Sequence, residues 1–422
     1  MNGGVRQRRT AMGRISLSFA VIAASLFLVA SLVVISLNSD RVADDNGGTE
    51  NFIPRESRSS SGIPDTDWYT ADTGALTFTI TNADELAGLA ELVNSGINFA
   101  GRTITLDNNI DLSLYGASYN GGKGWIPIGS EYAKNFRGTF DGNWKRITGL
   151  YINDAGTSYR GLFGVVYTGT VMDVGVEGVN ITGGQYVGGI AGHVYKGNVI
   201  NCYSTGSITS DRYAGGIAGI INGDRYGGSS IVHCYSQCDV SGNKFIGGIL
   251  GLNDTGNVTN CYSTGTVSGS ESIGGIAGNI SSGNVTNCAA LNAAVTGETY
   301  VGRVAGNILS GGTCTDNQAV RTMSTTPSRP DGDNGADITR NRINSDGSIG
   351  GIFTEDGGWT VENGKLPGLF GETVEMPPHI ARPARSATTE MNGSVMIIIG
   401  IAGAAMIVSI LLVHKLAGRK RA

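Results

Sequence analysis

Gly188-Gly-Ile-Ala-Gly192 decides the fold, because it returns as Gly215-Gly-Ile-Ala-Gly219, Gly247-Gly-Ile-Leu-Gly251, Gly274-Gly-Ile-Ala-Gly278 and Gly302-Arg-Val-Ala-Gly306. Successive starts lie 27, 32, 27 and 28 residues apart. The longest interval holds a polar, Gly-rich insertion at 223–228 that reads as a surface loop. Within each period the same words recur: Gly197-Asn-Val-Ile-Asn-Cys-Tyr-Ser-Thr-Gly206 matches Gly256-Asn-Val-Thr-Asn-Cys-Tyr-Ser-Thr-Gly265 and Gly283-Asn-Val-Thr-Asn-Cys288. A diverged earlier copy begins at Gly161-Leu-Phe-Gly164. β-Branched pieces such as Val199-Ile200 and Ser207-Ile-Thr209, punctuated by Gly and Asn, suit short strands between turns. A period near 27 with three such strands is one coil of an all-β, right-handed parallel β-helix, whose coils stack ~4.8 Å apart. One coil cannot bury its inward face alone, so stacking is the stabilising device.

The stacking predicts ladders. Ala191, Ala218 and Ala277 share an inward phase with Phe163 and Leu250, where volume can be traded between layers. Asn198, Asn257 and Asn284 occupy one turn position, and Asn201, Asn260 and Asn287 another, where amides can hydrogen-bond along the axis. Asn257-Val-Thr and Asn284-Val-Thr are also glycosylation sequons, as are Asn180-Ile-Thr and Asn279-Ile-Ser. Cys202, Cys234, Cys261 and Cys288 hold one phase, with Val174 in that place in the first copy and Cys314 close to it in the last. Substitution by Val points to buried thiols, while disulfides between coils stay open as the alternative in an oxidising compartment. The tyrosines that follow, Tyr203, Tyr235 and Tyr262, alternate with these cysteines, so the pleat predicts an outward stripe of stacked rings. That stripe either stabilises the face or offers a platform for sugar rings or a protein partner. Tyr186, Tyr213, Phe245 and Tyr300 recur before the Gly-Gly motifs.

Ahead of the repeats, Asn82 can cap a helix with Glu85 at its third position and Leu86, Leu89, Ala90 and Val93 on one face, ended by Asn94-Ser-Gly96. This helix covers the open end of the solenoid, whose strand edges would otherwise invite aggregation.

Both ends carry apolar runs. Arg6, Arg8, Arg9 and Arg14 precede 15–37, and His414, Lys415, Arg419, Lys420 and Arg421 follow 395–413. The charge asymmetry places the start and the tail in the cytoplasm and 46–394 outside. The expected order is a signal peptide or anchor at 1–45, a linker at 46–67, the β-helix at 68–371 and a Pro-containing stalk at 372–394. A transmembrane helix at 395–413 and a basic tail at 414–422 complete it.

At Trp125-Ile-Pro-Ile-Gly129, Phe136-Arg-Gly-Thr-Phe-Asp-Gly142, the Gly-Gly-Ile-Ala-Gly copies, and Trp359 with Gly364-Lys-Leu-Pro-Gly368, the chain resembles the GLUG-repeat proteins of microbial cell surfaces. The resemblance implies a surface-exposed β-helix of the adhesin-like kind and names no ligand. Some relatives join this region to an IgA-directed zinc protease, which needs His-Glu-x-x-His. None of His193, His233, His379 and His414 begins that pattern. His193 and His233 are expected at turns or on the surface. β-Helix enzymes that cleave acidic glycans cluster their carboxylates, whereas Asp211, Asp224, Asp254, Glu271 and Glu298 are scattered.

The sequence therefore predicts a non-catalytic binding or spacer protein, with no cofactor and no metal. Its partners would be the membrane and an extracellular glycan or a host or cell-surface protein. The net charge of −5 gives no basic stripe for a nucleic acid.

Overall fold

A piece as short as Asn198–Ile200 has no stability of its own. It pairs in parallel with Thr170, Val171 and Met172 on one side and with Ser230, Ile231 and Val232 on the other. The computed structural model describes residues 59–224, 228–326 and 332–381, and over them this pairing repeats for about 9 turns of a parallel β-solenoid. One inward column runs in register through Phe78, Ile104, Phe140, Val171, Val199, Ile231, Val258 and Val285. All eight are buried, so each coil covers the apolar edge of the next.

A second, six-stranded sheet stacks Phe163–Tyr167, Ala191–Tyr195, Ala218–Asn222, Leu250–Asn253, Ala277–Ile280 and Ala305–Ile308. Phe163, Ala191, Ala218, Leu250, Ala277 and Ala305 are register partners and fully buried, which is the predicted trade of volume. The Gly-Gly motif turns the chain into this sheet. A Cβ on Gly216 would collide with the Ser236 hydroxyl and the Gly248 carbonyl, so only glycine lets the coil close there.

Both asparagine rows form along the axis. The Asn284 amide donates to Asn257 Oδ1 at 2.8 Å, and the Thr313 hydroxyl donates to Asn284 Oδ1 at 2.6 Å. In the second row Asn287 donates to Asn260, the Asn260 amide meets His233 Nε2 at 2.9 Å, and Asn201 donates to Asp173 Oδ1 at 2.9 Å. That row has a further reason for its composition. Asp173, Asn201, His233, Asn260, Asn287 and Asp316 all have left-handed backbones, φ 51 to 58°, the region that Asn, Asp and His tolerate best.

Cys202, Cys234, Cys261 and Cys288 form a buried column of free thiols above Val174. Each Sγ sits 3.1 to 3.3 Å from the carbonyl two residues earlier. Burial pushes the Cys234 and Cys288 thiols well above their ordinary value. Cys314 does not extend this column. It pairs with Val285 in the valine phase, and Asn317 takes the cysteine phase, accepting from the Cys288 amide at 2.9 Å.

The capping helix runs Ala83–Asn94, with the Asn82 side chain accepting from the Glu85 amide at 3.0 Å. Glu85 reaches back to the Thr81 amide at 2.7 Å, one residue before the cap. Trp68, Tyr69, Phe78 and Phe99 pack edge-on and stacked beneath this end. Residues 59–67, expected as linker, belong to the cap, because the Ser61 amide and hydroxyl both donate to Asp84.

Of the expected stalk at 372–394, the described part, 372–381, packs on the solenoid instead of extending from it. Val374 and Ile380 are buried, Leu366 and Val374 form an antiparallel bridge, and His379 Nε2 lies 2.7 Å from the Leu291 carbonyl. The runs expected to cross a membrane, 15–37 and 395–413, lie outside the described residues. Among the described residues no helix is long and apolar enough to do so.

Candidate functional site

Tyr203, Tyr235 and Tyr262 stack as the repeat requires, with centroids 4.8 and 5.0 Å apart and planes within 2°. The column ends against Gly175, where a Cβ would strike the Tyr203 ring, and against Ala289. It does not face solvent. Tyr203 and Tyr235 are 5% exposed and Tyr262 is fully buried.

The cover is a strap formed by residues 348–381. Phe370 lies 5.6 Å from Tyr203, and Trp359 lies 6.4 and 5.7 Å from Tyr235 and Tyr262. Phe353 meets Tyr262 edge-on at 5.5 Å. At the rim, the Tyr203 hydroxyl donates to Glu177 at 2.6 Å, and Arg146 pairs with Glu177 and with Glu372 of the strap. The pleat correctly puts these rings opposite the cysteines, but the strap and not water receives them. Burial raises the pKa of all three phenols, so they remain neutral donors.

A row of partly exposed aromatics lies elsewhere. Tyr159, Tyr186, Tyr213 and Phe245 stack face to face at 5.1, 4.8 and 5.0 Å on the corner before the Gly-Gly turns. Each ring is half-buried and each backbone is left-handed, φ 59 to 62°. For bulky side chains this costs on the order of 1 kcal/mol or more apiece. Four consecutive coils place a ring at this corner, whose backbone stays left-handed in the next coil at Ser272, φ 61°.

Beside this stack, Tyr167 and Tyr195 stack at 4.7 Å, and Tyr132, 44% exposed, leans on Tyr167 at 5.9 Å. His193 joins the two groups, lying 5.7 Å from Tyr132, 5.9 Å from Tyr159 and 6.0 Å from Tyr186. It is only 6% exposed, not the surface or turn residue its sequence context suggested. His233 does occupy a turn.

Asn222 Oδ1, 2.6 Å from His193 Nε2, holds the proton on that nitrogen, and Nδ1 has no partner among the described residues. Burial lowers the imidazole pKa, so the ring is neutral at pH 7. Cations rim the terrace, with the Arg137 guanidinium 4.4 Å over Tyr167 and the Lys244 ammonium 4.9 Å over Phe245. Such a surface can stack flat apolar faces and donate hydrogen bonds at its edge.

The sequence flagged Tyr186, Tyr213 and Phe245 by phase but singled out the other tyrosines. Tyr167 and Tyr195 share a phase too, which the repeat could have revealed. Tyr132 belongs to no repeat. Among the described residues no group of three or more His, Cys, Asp or Glu could hold a metal ion.

The model of the GLUG motif matches residues 183–209 and 242–268, the stretches bearing Tyr186 and Phe245. Halomucin of Haloquadratum walsbyi is 32% identical over 143 residues, 33% of this chain and 2% of that protein. A protein of Evansella cellulosilytica, provisionally named a Gly-rich membrane protein, is 35% identical over 122 residues, 28% of this chain and 13% of the relative. The chain thus matches only a small part of these curated relatives.

A solved structure from Bacteroides ovatus, provisionally described as an immunoglobulin A1 protease, superposes with a TM-score of 0.56 at 23% identity. The match covers 71% of this chain and 92% of that one, and it speaks to fold alone. Fold and relatives fit a surface protein. This chain is a parallel β-solenoid that carries the GLUG motif at 183–209 and again at 242–268.

Proposed function

We propose that this is a membrane-tethered, surface-displayed binding protein without catalytic activity, and that the aromatic terrace around Tyr186 and Tyr213 is its contact surface for glycan or protein ligands. One observation carries the reading: four successive coils hold a half-buried ring in the left-handed region at one corner, where Asn, Asp or Gly would lie at less cost. The corner is left-handed from coil to coil, and the repeated choice of an aromatic where a smaller residue would sit more easily supports a use for the projected ring. The rigid solenoid supports this, because aromatic anchors on a preorganised scaffold lose little entropy on binding.

The strap gives the Tyr203, Tyr235, Tyr262 column a different task, sealing the solenoid flank. Tethering rests on the basic-flanked apolar runs at the two ends and on the membrane-protein name of one relative. The test is an array of glycans and extracellular-matrix proteins probed with the full-length chain. Saturable binding to a defined class supports the reading. Silence across the array favours a spacer, and release of new reducing ends from a glycan would replace it with an enzyme.

A further inference from the structure

We propose that the N-terminal cap carries a second binding site, separate from the terrace, in which Lys123, Asp154 and Arg160 hold the hydroxyls of a neutral sugar chain beside Trp125. Two adjoining hollows make the site. The larger, about 400 Å³, has an apolar wall of Ala87, Ala90, Tyr115, Tyr119 and Trp125. The smaller, about 170 Å³, is lined by Asn120, Lys123, Ser130, Asp154 and Arg160. Trp125 and Ile126 line both, so an apolar hollow and a polar hollow lie side by side.

The polar end is built rather than incidental. Arg160 is 7% exposed, and its guanidinium donates to Asp154 Oδ2 and to the Tyr159 carbonyl, each at 3.2 Å. Its Nε has no partner among the described residues. A buried charged donor left unpaired is costly, and this one belongs to a side chain that lines the polar hollow. Lys123 Nζ lies 3.2 Å from the other oxygen of Asp154, so the carboxylate stands between two cations.

The apolar wall is rigid as well. Tyr115 meets Tyr119 at 4.8 Å and Trp125 at 6.0 Å, both edge-on, and its hydroxyl donates to Asp84 at 2.8 Å.

Charge decides between ligands. Glu91 lines the apolar hollow, Asp154 the polar one, and Glu131 adds its field at Arg160, so the two cations are already balanced. An acidic sugar would meet these carboxylates. A neutral pyranose instead offers a C–H face to Tyr119, the partly exposed ring of the wall, and vicinal hydroxyls to the Lys–Asp–Arg row, which is the pairing that amphipathic pockets select.

The test is calorimetry with the purified full-length chain against cellotetraose, maltotetraose, laminaritetraose and chitotetraose, with tetragalacturonate as the acidic comparison. At least one neutral tetraose should bind. Lys123→Ala and Asn120→Gly, both at exposed positions and the second keeping the left-handed backbone of Asn120 at ease, should each weaken it by about tenfold while the unfolding midpoint stays in place. Tyr186→Ser/Tyr213→Ser should leave that affinity unchanged. Binding of no neutral tetraose, preference for tetragalacturonate, or affinity indifferent to Lys123 and Asn120 would each overturn the proposal. Loss in the Tyr186→Ser/Tyr213→Ser variant alone would assign the sugar to the terrace, overturning the cap site while sparing the terrace reading.

Discussion

The hydroxyl of Tyr262 donates a hydrogen bond of 2.5 Å to the carbonyl of Pro367, 105 residues further along the chain. This contact joins the central column of the solenoid to the strap, and both partners are buried. It explains why a stripe that the pleat turns outward never meets water.

Tyr262→Phe keeps the ring stack but leaves the Pro367 carbonyl without its donor. The expected cost is about 1–3 kcal/mol. It should show as faster amide exchange in residues 348–381, with the coils themselves unaffected. Trp359→Ala, which removes the ring packed on His233, Tyr235, Tyr262 and Phe353, should cost more, about 3–5 kcal/mol.

Cys261→Val replaces one small buried group with the residue that already fills this phase at position 174. Denaturant unfolding should place it within about 1.5 kcal/mol of the parent. Cys261→Asp buries an unpaired carboxyl and should cost several times that. A large loss from the valine change would mean that the thiol makes a bond that the free column does not contain.

The left-handed asparagine row separates backbone strain from the amide ladder. Asn260→Gly keeps the backbone at ease and loses only the bonds to His233 and Asn287. Asn260→Ala loses both, so it should be less stable than the glycine variant by about 1 kcal/mol. Equal stabilities would show that the positive φ at 260 carries no penalty.

How much of this was legible in the sequence depends on range. Register, the alanine phase, the thiol column and the Asn82 cap all follow from residues within one or two periods of each other. The strap does not, because nothing near Tyr262 announces that Pro367 will cover it. Period counting also slips where a coil gains a residue: the loop at 309–312 moves Cys314 into the valine phase. The terrace was half legible. Phase gives Tyr186, Tyr213 and Phe245, but Tyr132 arrives from the non-repetitive lead-in, and its contact with His193 exists only once the coils are stacked.

His193 should leave a signature in acid. Its pKa is lowered in the folded state by burial, so the unfolded chain binds the extra proton first. Stability from the neutral ring is complete above the ordinary value of 6.5 and falls as pH drops below it toward the folded value. Thermal melts from pH 7.5 to 5 should show a midpoint decrease that is smaller in His193→Gln. An identical slope in both proteins would assign the acid sensitivity to other groups.

The central claim, that the outward corner of the solenoid is the contact surface, is tested most directly by the affinity of the full-length Tyr186→Ser/Tyr213→Ser/Phe245→Ser variant. The ligand is whichever one the array identifies, and unfolding midpoints are measured alongside. The account predicts that binding falls by about a hundredfold or more, as loss of clustered aromatic anchors does, while the solenoid still melts cooperatively. Unchanged affinity in a folded variant would contradict it.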